Sequence, residues 1–562
     1  MSDPDPIEDA VAAALALPDP DPAQPPAAPP PDAAPGAASG AASGATGGAA
    51  RILLAALAFA GSALLLIGLR PLLPIDETRY LTVAWEMWQG GSKLVPHLNG
   101  DLYTHKPPLL FWLIDLTWLV AGVSELAARL VAPAFGLASV VLTGLLARRL
   151  WPAAPQRAGA AAVILATTGL FLAYGSLTLF DTMLTTATLA AMLALVALRR
   201  AADGRAAWRA TLGLGAALAL GVYAKGPVIL VHVAPVALLM PLWADRDSRP
   251  RAGFWYGRLA AALGVALALV ALWLGPALIL GGPDYRTEVL WKQSAGRMVA
   301  SFAHDRPFWW FAALLPVYLW PWAWRAESLA ALSPRRIRAD EGGRLVAVWA
   351  VAAFVAFSAI SGKQIHYLIP ELPAVALILS AGVAGASPRW QRIPVLLTAA
   401  LILVAAGGVA FGPLGPLPPG TLPVPAIETL VAIAIAATLA VAVFRIRSDL
   451  AAFALIAPFT FVAAEVLLSP TLRAGFDAGP IGRALATREA AGMAVVDADY
   501  QGQFGFAGRL TVPVTELARP EDAAAWAAAH PGGAVLSRQP LDLPALGTYP
   551  FNERVWTLYA AP

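Results

Sequence analysis

No cysteine occurs anywhere in the sequence. Disulfides, thiolate metal sites and cysteine nucleophiles are thereby excluded. Charge is scarce as well: Asp, Glu, Lys and Arg make up 13% of the 562 residues, against about a quarter in a soluble domain. Hydrophobic residues reach 58% and the mean hydropathy is +0.65. A charge deficit spread over most of the length points to many membrane helices rather than one anchor. The net charge is only +3, and the pI near 9.1 reflects Arg clusters in short loops, so no nucleic-acid partner is expected. Large apolar residues are nearly missing from residues 1–50, which consist mainly of Ala, Pro, Gly, Asp and Ser. Such a stretch cannot bury enough surface to offset its ordering entropy, and a disordered cytoplasmic tail is expected there. A secretory signal is lacking too, because the first apolar run starts too far in and has no preceding n-region. Walker and dinucleotide-binding glycine patterns, a His-Glu-x-x-His helix and a Gly-x-Ser-x-Gly elbow are all missing. No nucleotide is expected.

What the chain does contain is a series of apolar runs, at 52–69, 126–147, 158–178, 183–198, 211–224, 227–243, 258–280, 308–324, 344–360, 367–384, 393–411, 426–443 and 450–467. An all-α polytopic bundle of about thirteen spans follows. Arg148, Arg149 and Arg157 mark one connection, Arg199, Arg200, Arg205 and Arg209 the next of their kind, and Arg335, Arg336 and Arg338 a later one. Every second connection is Arg-rich, which assigns those to the cytoplasm, the N-terminus inside and the C-terminus outside. The outer connections are then 70–107, 179–182, the turn at Lys225, 281–307, 361–366 and 412–425. Residues 108–122 are apolar but short and carry Asp115; a span there would invert every later Arg cluster. They are expected to form a juxtamembrane or re-entrant helix on the periplasmic side. Charge returns after residue 470, where strands at 494–497, 534–538 and 555–559 and a helix at 520–530 indicate a small α/β periplasmic domain. The expected organisation is a tail over 1–50, a membrane domain over 51–469 and a soluble domain over 470–562.

The polar residues worth attention lie in the outer connections. Asp76 and Glu77 open a helical stretch just beyond the first run, below a loop with His97, His105 and Lys106. Acids at a helix start also serve as simple caps, but ionisable groups at membrane depth are costly unless a site uses them. Lys106-Pro107-Pro108 fixes a cation at the start of an apolar helix, either snorkelling to headgroups or facing a lipid phosphate. Asp181 and Lys225 occupy tight outer turns. The 281–307 connection holds Arg297 and His304, two helical turns apart, and Lys363, His366 and Tyr367 stand outside at the start of a later run. A reaction on this face needs a donor already carried across the membrane. A polyprenyl-phosphate sugar meets that need, with cations for its phosphate and Asp76 as a base for an acceptor hydroxyl.

Taken in order, Asp76-Glu77-Thr78-Arg79-Tyr80, Pro96-His97-Leu98-Asn99-Gly100, Lys106-Pro107-Pro108-Leu109, Asp181, Lys225-Gly226-Pro227, the segment from His304 to Trp309, and Lys363 with Tyr367 resemble the GT-C membrane glycosyltransferases. The resemblance is specifically to the aminoarabinose transferase and protein O-mannosyltransferase family, over about residues 52–470. The resemblance implies an inverting transferase with Asp76 as base, Glu77 beside it, Asp181 shaping the sugar or acceptor pocket, and Lys106, Arg297 and Tyr367, joined by Lys225 and Lys363, around the donor phosphate. It also implies a divalent metal, and here the chain departs: the aminoarabinose branch has a ligating Glu where this sequence has His105. His105 and His304 are then the candidate ligands. The acceptor would be a glycan, a glycolipid such as lipid A or lipopolysaccharide core, or a protein hydroxyl. A flippase of polyprenyl-linked sugars is the main alternative, and a non-enzymatic assembly protein a third; neither explains acids and cations aligned in the upstream outer loops.

Overall fold

The computed structural model describes residues 36–291, 305–384, 392–411, 426–446, 448–496 and 500–562. Most of the tail expected to be disordered, residues 1–35, lies outside them, as do Arg297 and His304. The chain divides into Met1–Thr46 and Gly47–Pro562, and the bundle and the sheet belong to the second unit. The helices that matter for the site are α1 (Gly36–Leu69), α2 (Asp76–Trp88), α3 (Leu109–Ala121), α4 (Asp181–Arg199), α5 (Gly204–Lys225), α6 (Ala252–Leu280) and α7 (Glu341–Ala359).

Among the described residues nine helices are long and apolar enough to cross a membrane, ten if the bent pair Gln156–Ala166 and Gly169–Gly175 is one span. The chain is a multi-pass membrane protein. The count expected from sequence was thirteen, and the difference has physical sources. Residues 204–238 pass as one long helix by length and composition, but Gly226, at a φ of +78°, ends α5. A separate helix, Ile229–Leu238, follows. The run at 308–324 is not one helix but the turns Trp310–Ala313, Leu315–Tyr318 and Trp322–Trp324. Pro307, Pro316 and Pro321 each remove a backbone donor there. Residues 393–409 form a shorter apolar helix. α3, at 13 residues, rises about 20 Å, too little for a hydrocarbon layer of about 30 Å, as expected of a helix that does not cross.

Small residues and hydroxyls hold the bundle together, since lipid offers no hydrophobic drive between helices. A side chain on Gly136 or Gly175 would run into the ring of Phe59, so these two glycines let α1 approach closely. Thr182 and Thr186 of α4 donate to the carbonyls of Ala132 and Phe135, both at 2.8 Å. The two ends of the bundle are marked by polar contacts. At one end Arg199 donates to Glu341 (2.9 Å), which also accepts from the amide of Asp245 (3.0 Å). At the other, the first residue of α4 meets the last of α5.

The carboxy-terminal region is a five-stranded mixed sheet in the order β4-β3-β5-β7-β6. Its strands are β3 (Met493–Val496), β4 (Thr515–Leu517), β5 (Ala534–Ser537), β6 (Ala545–Phe551) and β7 (Arg554–Ala560), after the small hairpin β1 (His97–Leu98) and β2 (Asp101–Leu102). β3 pairs in parallel with β4 and β5; β7 pairs antiparallel with β5 and β6. This domain sits on α2. Thr82 donates to the carbonyl of Gly502 (2.7 Å) and accepts from the amide of Phe506 (3.0 Å), and Trp85 donates to the carbonyl of Leu510 (2.8 Å). Phe506 stacks on Trp118 of α3 with ring centroids 5.5 Å apart.

Candidate active site

The site forms at one end of the bundle, where the last residues of α1 and α5 meet the first residues of α2 and α4. α2 has no side-chain cap at Ile75. Instead Glu77 turns back and accepts from the amide of Leu73 (3.0 Å) with one oxygen. The other accepts from the amide of Thr178 (2.8 Å). The carboxylate is buried and both oxygens are engaged, which ties the first outer loop to the turn that launches α4. Arg70, also buried, adds a second tie to that region by donating to the carbonyl of Ser176 (2.8 Å) and to Glu465 (3.1 Å).

Asp76, one residue earlier, faces the opening instead. Its side chain is 50% exposed and accepts from Arg79 of the next turn. Arg79 in turn donates to Gln501 of the carboxy-terminal domain (2.9 Å). Tyr80 stands behind them; burial, with Tyr103 and Asp76 adding negative charge nearby, holds its phenol well above the usual range, so it stays protonated.

Asp181 is buried at the start of α4, and Lys225 donates to its Oδ1 at 2.7 Å. The Lys225 ammonium also lies 5.6 Å from the ring centre of Tyr367, while Lys106 lies 5.7 Å from that of Phe180. Asp181 interacts electrostatically with Lys225, His366 and Lys106. Asp76 joins the same group, since Tyr174 and His366 each sense both Asp76 and Asp181. The result is two acids and two ammonium groups walled by Phe180, Tyr174 and Tyr367, at one end of the bundle. A carboxylate open to solvent can take a proton, and a pair of ammonium groups can bind an anion.

A family model described as dolichyl-phosphate-mannose-protein mannosyltransferase matches residues 52–278. Among curated proteins, the undecaprenyl phosphate-alpha-4-amino-4-deoxy-L-arabinose arabinosyl transferase of Edwardsiella ictaluri is 30% identical over 340 residues, 60% of this chain and 60% of that one. The protein of the same name from Pseudomonas aeruginosa strain LESB58 is 32% identical over 310 residues, 54% of each chain. This chain thus spans about 60% of the length of the curated relatives it matches. The crystal structure of ArnT from Cupriavidus metallidurans bound to undecaprenyl phosphate shares the fold, with a TM-score of 0.72 over 92% of this chain and 98% of that one at 19% identity. The chain has the fold of that structure.

Of the residues singled out from sequence, the structure brings together Asp76, Lys106, Asp181, Lys225 and Tyr367. Two others are turned away from this site. Glu77 is spent on backbone amides, as described. Lys363 is buried and donates to the carbonyls of Arg306 (2.9 Å) and Ile360, pinning the strand-like contact of Asp305 with Gly362. His105 packs its ring 5.3 Å from Tyr103. Among the described residues no three His, Asp or Glu side chains gather closely enough to hold a cation; His304, the other candidate ligand, lies outside the described residues. His366 had been placed outside with Tyr367 but given no role. It meets Tyr367 edge-on at 5.1 Å and lies tilted against Tyr174 at 5.7 Å, inside the cluster. A single His carries no spacing pattern; the only available signal was its place next to Tyr367.

Proposed function

We propose that the chain is an inverting glycosyltransferase that moves a sugar from a polyprenyl-phosphate donor to an acceptor hydroxyl or phosphate at the periplasmic face of the inner membrane. In this reading the N-terminus is cytoplasmic and the sheet domain periplasmic. The observation that carries the proposal is the Lys106, Lys225 and Asp181 cluster beside an open Asp76. Lys106 and Lys225, with the Tyr367 hydroxyl, hold the donor phosphate. Asp76 accepts the acceptor proton as its oxygen attacks the anomeric carbon from the face opposite the phosphate. The carbon–oxygen bond to phosphate breaks, and polyprenyl phosphate leaves with the electron pair. The printed names of the curated relatives favour an undecaprenyl-phosphate aminoarabinose donor and an envelope glycolipid such as lipid A as acceptor. The family model's description favours a protein hydroxyl as the second choice of acceptor.

The test is transfer in proteoliposomes from undecaprenyl-phosphate aminoarabinose to lipid A, read by mass spectrometry. Asp76→Asn is expected to lower the rate by about 100- to 10,000-fold with a hydroxyl acceptor, without loss of folded protein, because the side chain is half exposed. Undiminished transfer by this variant would sink the assignment of Asp76 as base.

A further inference from the structure

On the flank of α2 away from the start of that helix, a cavity of about 390 Å³ opens between α2, the 91–100 loop and the carboxy-terminal domain. Its volume falls within the range of small-molecule sites, about 300–1,000 Å³. Asp76, Asp181, Lys106 and Lys225 do not line it. The loop that forms one wall is held rigid: Glu86 accepts from the amides of Asn99 (2.6 Å) and Gly100 (3.2 Å), and Asn99 exchanges hydrogen bonds with Val514 across the domain boundary (2.8 and 2.9 Å).

The lining has a definite chemistry. It contains no Lys or Arg, one carboxylate, Glu86, and one imidazole, His97, so it holds no permanent cation for a phosphate. Between apolar walls such as Trp85 and Val512 it presents neutral polar groups, the usual mixture for a small-molecule site. At its floor Tyr500 is buried, and its hydroxyl meets no acceptor among the described residues; the nearby Phe504 amide can only donate to it. A buried phenol proton without an acceptor costs free energy that a ligand oxygen would recover. Aromatic surface, an unmet donor, neutral acceptors and the lack of Lys and Arg together suit an uncharged, hydroxyl-rich ring.

We propose that this cavity is a binding subsite for a neutral sugar unit. That the sugar belongs to the acceptor rests on the transferase reading above; that the cavity binds a sugar does not. The sheet domain then grips the acceptor glycan along α2 while a more distal group of the same molecule reaches Asp76.

The test is saturation-transfer NMR on the detergent-solubilised full-length protein with neutral disaccharides (N,N′-diacetylchitobiose, maltose, lactose) and with glucose 6-phosphate. It needs no turnover, so it stands or falls apart from the role of Asp76. At least one neutral disaccharide is expected to receive saturation in preference to glucose 6-phosphate. Tyr500→Phe, which removes only the hydroxyl, is expected to weaken its binding about fivefold. Val512→Trp at the exposed mouth is expected to abolish it without unfolding the chain. Saturation of none of the disaccharides, preference for glucose 6-phosphate, or undiminished binding in both variants would overturn the proposal.

Discussion

Asp181 and Lys225 are each nearly out of solvent, with side-chain exposures of 5% and 13%. Two charges at that depth persist only because each satisfies the other, and removing one leaves a buried charge without its partner. Lys225→Met is therefore expected to destabilise the protein by about 3–5 kcal/mol, seen as a lower thermal midpoint in detergent. Asp181→Asn added to Lys225→Met should recover much of the loss, since no bare carboxylate then remains. A Lys225→Met protein as stable as the parent would mean that the pair does not anchor the outer ends of α4 and α5. The same pairing bears on the proposed chemistry: a donor phosphate at Lys225 would meet an ammonium already oriented by Asp181. Asp76 and Glu77 make the complementary point. They are adjacent in sequence, but successive helical positions point about 100° apart. One carboxylate faces the opening and the other disappears into backbone amides.

Among the elements, α3 is the one whose sequence conflicts with its length. It is almost wholly apolar, yet it carries Asp115, buried and paired with Lys93 at 2.7 Å. Burial raises the Asp115 carboxyl above its ordinary value, and the Lys93 ammonium only partly offsets this. A carboxyl raised on folding adds stability below its unfolded value and loses it as pH climbs through the folded one. Asp115→Asn, which carries no charge to desolvate, should thus raise the thermal midpoint at pH 7.5 by a few degrees relative to the parent. That gain should fade as pH falls towards 3.8, the unshifted value. A gain of equal size at both pH values would mean that packing, not ionisation, is responsible. What sequence alone could read of the elements follows from similar physics. β3, β5 and β7 announce themselves by short apolar runs that match buried positions. β6 is exposed along most of its length and β4 has only three residues, so neither carries a pattern. Asp76, Lys106, Asp181, Lys225 and Tyr367 could be gathered because all lie in outer connections. The fates of Glu77 and Lys363 could not, because both are decided by backbone amides and carbonyls that no residue type advertises.

At the scale of the whole molecule, the sheet domain is attached through α2, the helix that begins with Asp76. The attachment centres on one hydroxyl. Thr82 gives its proton to Gly502 and takes one from Phe506, so it meets two backbone groups of the segment that also stacks on Trp118. Gly502 and Gly505 make this approach possible, since a side chain at either would collide with Leu98 or Thr82. Arg79 adds a link from the Asp76 turn to Gln501 of the same segment. A glycan held by the sheet domain is thereby held in fixed register with the proposed base. Thr82→Val keeps the shape but strands the Gly502 carbonyl and the Phe506 amide, at a cost of about 1–3 kcal/mol for each group left unmet. In hydrogen exchange, amides of Gly505–Gly508 should then exchange faster, while those of β3 and β5, held by their own ladders, should change far less. Transfer to a full acceptor should fall more than transfer to a short one that does not reach the sheet domain. Equal losses with both acceptors would mean that the domain stabilises α2 without positioning substrate.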